Sequence, residues 1–251
     1  MNQVVIMYHD VYMSDPAESG FRRERDYPYK VSLETFERQV KAIHDHCQTN
    51  NLPKESVVFT FDDGGCSFYN LIPNVLEKYG YVGHFYVSTK YVGTDGFLNA
   101  NEIKALEQRG HIVGSHAHTH EHVYKLSSEQ VKEEWNQSAK ILSDILGHPV
   151  TEASIPNGDT SNIVLQYCYE SGLRDVYTSQ PTTKLKLHKG MRIHGRYVVL
   201  CDTTDSYLLS IIGSSLTRMS LSLKWKIISY VKKFLGDSYV QLKNVFYRHN
   251  K

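Results

Sequence analysis

At 251 residues, 41% of them hydrophobic and 22% charged, the chain has the makeup of a globular protein large enough for one full hydrophobic core. A formal net charge of +1 supplies no global field, so recognition of nucleic acid by bulk charge is excluded. Cys47, Cys66, Cys168 and Cys201 lie far apart with no C-x-x-C pair, which argues against a disulfide framework or a thiolate zinc site and fits a reducing compartment.

The first ten residues, Met1 to Asp10, lack a basic region followed by a long apolar one, so no signal peptide is expected. No apolar run approaches the ~18 residues of a membrane-spanning helix. Short apolar runs alternate with helical patterns from there on. Val4 to Tyr8 reads as a buried strand. Ser32 caps a helix whose apolar stripe is Leu33, Phe36, Val40, Ile43 and Cys47. Val57 to Phe61 is the next strand, and Leu71 to Tyr79 a helix with Pro73 early and Gly80 as its stop. Phe85 to Val87 is a strand. Asn99 with Glu102 makes a capping-box start for a helix through Arg109, ended by Gly110. Ile112 to Ser115 is a strand, and Ser127 or Ser128 opens a long helix stopped by Gly147 and Pro149. A short strand near Ala153 to Ile155 precedes a helix from Asn162 to Glu170. Strands are then expected at Val176 to Ser179 and within Met191 to Leu200.

This alternation, about seven β/α units, predicts a parallel sheet. The length suits a closed or nearly closed (β/α) barrel, with an open doubly wound sheet as the alternative. The expected division is a barrel domain over residues 1–204 and a helical extension over 205–251. The extension interleaves Leu208, Leu209, Ile211, Ile212, Leu223, Trp225, Ile227 and Ile228 with Lys224, Lys226, Lys232 and Lys233, and a last helix is expected at Tyr239 to Tyr247. Such a basic amphipathic segment packs on its own domain, on a second subunit or on an anionic membrane surface.

The residues able to do chemistry fall where a parallel α/β fold builds active sites, at the C-terminal ends of strands. His9 follows the first strand, Asp62 and Asp63 the second, His116 the one at Ile112, and Pro156-Asn157-Gly158 the one near Ile155. Two carboxylates leaving a strand end can diverge, one toward a metal and one toward a water. His116-x-x-x-His120 brings two imidazoles to one ion from a tight turn. His118 and His122 compete for that role, because His-x-His pairs also bind metals. A carboxylate, two imidazoles and open positions make the donor set of a catalytic metal site.

Thr60-Phe61-Asp62-Asp63-Gly64, His116-Ala117-His118-Thr119-His120 and Ala153-Ser154-Ile155-Pro156-Asn157-Gly158 resemble the first three motifs of the polysaccharide deacetylases of carbohydrate esterase family 4. Met7-Tyr8-His9 and Val31 to Gln39 are similar to the branch acting on exopolysaccharide-type sugars. The resemblance covers roughly residues 1–200. It implies a deformed (β/α) barrel, one divalent ion held by Asp63, His116 and His120, and Asp62 as general base. Zinc is the first choice of metal, with cobalt, nickel, manganese or iron also accepted by such ligands. The implied reaction removes acetyl groups from the N-acetylated sugars of a poly- or oligosaccharide, with Pro156, Asn157, Gly158 and His9 lining the substrate groove.

The family draws its general acid from a late histidine; His194 is chosen, with His9 the competitor at the same rim. Two features depart from the pattern. The third motif has no arginine to orient the base and carries Asn157 where an aromatic is usual, and Arg174 and Asp175 match the fourth motif poorly. A non-catalytic carbohydrate-binding relative and an amidohydrolase acting on a non-sugar amide are therefore the alternatives. The expected partner is an acetylated glycan, without nucleic acid, and the expected setting is cytoplasmic with membrane contact through the basic tail.

Overall fold

The computed structural model describes residues 3–235, with side-chain surroundings for residues 3–230. The helix expected at Tyr239 to Tyr247 lies outside the described residues. Within them the elements are β1 (Val4–Tyr8), β2 (Val11–Tyr12), β3 (Val31–Ser32), α1 (Leu33–Thr49), β4 (Val57–Phe61), α2 (Ser67–Asn70), α3 (Ile72–Lys78), β5 (Gly83–Val87), α4 (Ala100–Gln108), β6 (Ile112–Ser115), α5 (Ser128–Leu146), β7 (Glu152–Ser154), α6 (Asn162–Glu170), β8 (Asp175–Tyr177), β9 (Lys186–His188), β10 (Met191–His194), β11 (Tyr197–Val198), α7 (Asp205–Gly213) and α8 (Ser215–Leu235).

Local sequence sets these boundaries. Ser32 caps α1 through the Thr35 amide, and Asn99 with Glu102 closes a capping box on α4. Ser127 with Gln130 does the same for α5, which ends on Gly147 in the left-handed region at φ +86°. Each cap satisfies backbone donors or acceptors that the helix itself leaves unpaired.

One curled sheet of nine strands runs in the order β11-β1-β4-β5-β6-β7-β8-β10-β9. Every pairing in it is parallel except the edge pair β9 with β10. With helices outside, this is the deformed barrel that the motif resemblance implies, and the alternating pattern's parallel sheet, with more strands than the expected seven. The single strand expected within Met191 to Leu200 is two strands. β10 pairs with β8, whereas β11 pairs with β1 at the far end of the order. Gly195 and Arg196 carry the chain across the barrel's seam. A Cβ at Gly195 would stand 2.4 Å from the Gln180 carbonyl oxygen, so no larger residue fits this crossing without moving backbone.

The core lies between the sheet's outer face and the helices. Tyr8, Phe36, Phe59, Phe61, Phe68 and Phe85 are fully buried there. Phe61 stacks on Phe85 at 5.0 Å and on Tyr8 at 5.8 Å, which fixes the strand end that delivers Asp62 and Asp63. Removing one such ring costs about 3–5 kcal/mol. α7 joins this core through Leu208, Ile211 and Ile212. Among the described residues no helix is long and apolar enough to cross a membrane.

Candidate active site

The strand β4 ends in a turn that few residues tolerate. Asp63 has φ +93°, an uncommon conformation for a residue with a Cβ. Its carbonyl accepts the Ser88 amide at 3.2 Å, and the Gly64 carbonyl accepts the Leu98 amide at 3.0 Å. A Cβ on Gly65 would fall 1.9 Å from Asp10 Oδ1. Asp10 is buried and accepts the Ser19 and Ser67 hydroxyls at 2.6 and 2.9 Å. It thereby ties the 13–30 lobe to this turn. Ala117, His120 and Asn157 also have positive φ, at 58°, 61° and 58°. Backbone strain of this kind collects at sites where the surroundings over-determine the conformation.

The turn brings Asp63 Oδ1 to 3.4 Å from His116 Nε2 and 3.1 Å from His120 Nε2. The ligand atoms of these three residues all lie within 4.8 Å of one another. His116 Nδ1 is 2.9 Å from the Ser154 carbonyl. A carbonyl only accepts, so Nδ1 carries the proton and Nε2 presents its lone pair. His120 is held between Phe21 and His116, each ring centroid 5.1 Å away, and its carbonyl accepts from Asn157 Nδ2 at 3.3 Å. Glu134 of α5 accepts the His118 and Thr119 amides at 2.9 and 2.7 Å and the Thr119 hydroxyl at 2.6 Å, bracing the loop between the two imidazoles.

These residues fit a divalent ion. Asp63 Oδ1 is buried and satisfies no hydrogen bond although two imidazole nitrogens face it. Ligand bonds of about 2 Å at tetrahedral angles set neighbouring donor atoms about 3.3 Å apart, close to the separations here. Burial alone would raise the Asp63 pKa, but His120 and His116 outweigh it and hold the carboxyl well below its ordinary value. Burial likewise works against a charged His120, yet Asp63 prevails and raises its pKa.

Asp62 turns the other way, toward Arg196. Arg196 Nη1 and Nη2 lie 2.7 Å from Asp62 Oδ1 and Oδ2, and Nη2 is also 2.7 Å from Ser154 Oγ. The Arg196 side chain is 0% exposed, and it also donates to the Thr178 carbonyl and the Thr60 hydroxyl. Burial pushes the Asp62 carboxyl up, but Arg196 and His116 overcome this and hold it below the ordinary carboxylate value.

The other histidines separate cleanly. His118 Nδ1 pairs with Thr89 Oγ1 at 2.9 Å, and His122 Nδ1 with Asp159 Oδ2 at 2.9 Å; neither joins the cluster. His194 Nε2 is 2.8 Å from Asp175 Oδ1, two positions back along the neighbouring strand, and its ring stacks on Tyr177 at 4.5 Å. His9 stands against Tyr29 at 4.7 Å with its Nδ1 buried and without a partner. The register of Tyr8 with Phe61 sets His9 beside the strand end that carries Asp62 and Asp63; burial lowers the His9 pKa, while Asp63 and Asp62 act on it in the opposite sense. Pro156 is buried, and Asn157 and Gly158 form the adjoining turn.

Arg196 was not among the residues expected here. Its signal was indirect: Asp62 ends a buried strand and needs a counter-charge, and the third motif supplies none. A late strand ending at the same rim is where that cation had to come from.

A curled parallel α/β sheet carrying paired carboxylates and two imidazoles at its C-terminal rim defines a barrel protein built for rim chemistry. The polysaccharide deacetylase family model matches residues 49–176, and the chain belongs to that family. It is similar to YxkH of Bacillus subtilis, 24% identical over 191 residues, covering 70% of this chain and 64% of that protein. It is also similar to the peptidoglycan-N-acetylmuramic acid deacetylase PdaA of Bacillus subtilis, 23% identical over 168 residues, covering 66% of this chain and 62% of PdaA. The chain thus spans less than two thirds of the length of either relative. The fold is shared with the Streptococcus pyogenes deacetylase PplD, solved with acetate, at TM-score 0.69 and 21% identity over 84% of this chain and 98% of that one. IcaB from Ammonifex degensii has the same fold, at TM-score 0.65 and 21% identity over 84% of this chain and 95% of that one.

Proposed function

We propose that the chain is a metal-dependent hydrolase that removes acetyl groups from the N-acetylated sugars of a poly- or oligosaccharide. The observation that carries this reading is the division of labour between adjacent carboxylates: Asp63 Oδ1 sits unpaired between two imidazoles, while Asp62 is clamped by Arg196. Asp63, His116 and His120 would hold the ion, and zinc suits two nitrogens and one oxygen. A divalent ion bound there supplies a Lewis acid for the acetyl carbonyl and lowers the pKa of a water to about 7 in favourable zinc sites.

The chain's own groups supply the rest. Asp62 stays ionised beside Arg196 and takes the proton of the attacking water. Arg196 and Ser154 fix the carboxylate's direction, so it meets the water without reorganising. His9 donates a proton to the departing amine from its imidazolium form, which Asp63 and Asp62 favour against the burial that lowers its pKa. Its support is position: a half-buried imidazole beside Asp62 and Asp63, with Nδ1 unpartnered. His194 faces Asp175 and the Tyr177 ring rather than the Asp62–Asp63 pair, which favours His9 over it.

The test is acetate release from N-acetylglucosamine oligomers and from muramic-acid-containing glycans, before and after chelation. Release that stops with chelator and returns with zinc supports the reading. Turnover indifferent to chelator sinks the metal mechanism, and glycan binding without turnover leaves only a carbohydrate-binding relative. A cytoplasmic setting, where the substrate would be a precursor or lipid-linked sugar, is part of the same proposal.

A further inference from the structure

The helix α8 leaves the domain with one face committed and the opposite face bare. Arg218 Nη1 donates to the Ile211 and Ile212 carbonyls at 2.7 and 2.8 Å, capping the end of α7, and Leu221 packs on the core. On the other side Leu216, Met219, Leu223, Ile227 and Tyr230 are 74%, 66%, 61%, 55% and 66% exposed. Their spacing of three or four residues makes a continuous row along a helix. An apolar row this long is more than scattered surface residues and marks a contact.

Charge identifies the contact. Residues 206–235 contain Arg218, Lys224, Lys226, Lys232 and Lys233 and no aspartate or glutamate. Lys224 directly follows Leu223 and Lys226 directly precedes Ile227, so at about 100° per residue they flank the apolar row on opposite sides. A second copy of α8 is a poor occupant, since pairing two such helices would set lysines near lysines with no carboxylate to relieve them. An anionic surface with an apolar interior matches both features, because acyl chains receive the row and headgroups receive the flanking lysines.

We propose that α8 is a peripheral membrane anchor that lies in the interface of a bilayer rich in anionic phospholipid. It holds the barrel at a lipid surface without spanning it. The proposal does not depend on the reaction assigned to the rim.

The full chain is mixed with vesicles of phosphatidylcholine alone and of phosphatidylcholine with phosphatidylglycerol, then sedimented. Expected is binding to the anionic vesicles that weakens as salt rises, with little binding to the neutral ones. Lys224→Gln/Lys226→Gln should weaken anionic binding by about thirtyfold, and Leu223→Ser/Ile227→Ser should abolish it, both with an unchanged melting temperature. Equal binding to both vesicle types, or undiminished binding by either variant, overturns the proposal. So does a parent dimer in light scattering that Leu223→Ser/Ile227→Ser converts to monomer, which would assign the face to a second copy.

Discussion

Arg196 holds Asp62 by a two-pronged grip, 2.7 Å at each carboxylate oxygen, with no solvent reaching the guanidinium. Removing one partner of a buried pair strands the other charge. Arg196→Gln should lower unfolding stability by about 3–5 kcal/mol, read from urea titration. Because Arg196 helps keep the Asp62 carboxyl below its ordinary value against burial, the acid limb of the deacetylation rate should move to higher pH in this variant. An unmoved limb would disconnect Arg196 from the base.

Asp62 and Asp63 should fail differently. Asp62→Asn should lower kcat by about 10²- to 10⁴-fold while the protein still binds zinc. Asp63→Asn and His116→Ala should lose zinc as well as turnover. Metal content by elemental analysis, beside acetate release, separates the two outcomes.

The choice between two histidines reduces to one comparison. His9→Phe should lower kcat by about 10²-fold or more, and His194→Phe should leave it within a few-fold. The reverse result would return the acid role to His194.

Glu134 touches neither the imidazole nitrogens nor the carboxylates, yet it braces the loop between His116 and His120. Glu134→Ala should weaken zinc affinity by about 10- to 100-fold, the usual scale for losing a ligand's supporting contact. Competition with a chromophoric chelator measures it.

Asp175 gives a pH signature. Burial works against its ionised form, but His194 and Arg192 prevail and its pKa falls to about 2. A carboxyl depressed on folding adds stability above its unfolded value and loses it as pH drops through the folded one. Asp175→Asn should therefore be less stable than the parent at pH 7, with the gap narrowing from about pH 4 toward pH 2. Denaturation midpoints across that range test this.

Much of this was legible in the sequence, for identifiable reasons. The strands Val4–Tyr8 and Val57–Phe61 are short and apolar but for Thr60, and the Ser32, Asn99 and Ser127 caps are local signals, so element positions followed from the chain alone. Spacing alone left His116, His118, His120 and His122 in competition; the motif resemblance named His116 and His120, and the turn that brings those two together depends on positive φ at Ala117 and His120. The single strand expected within Met191 to Leu200 concealed the seam crossing, since what requires a glycine at 195 is Gln180 and Thr182, which leave no room for a Cβ there. The pairing of Arg196 with Asp62 spans 134 positions, beyond the reach of any local pattern.

That crossing sets the order in which the protein becomes competent. Both imidazoles and both carboxylates are synthesised before residue 196, so a nascent chain can gather the ligand cluster early. Asp62 gains its counter-charge only when Gly195 and Arg196 pass over the seam and β11 docks on β1. The docking of β11 thus also brings in the counter-charge of the proposed base, and a chain stalled or clipped before it would carry Asp63, His116 and His120 without Arg196 beside Asp62.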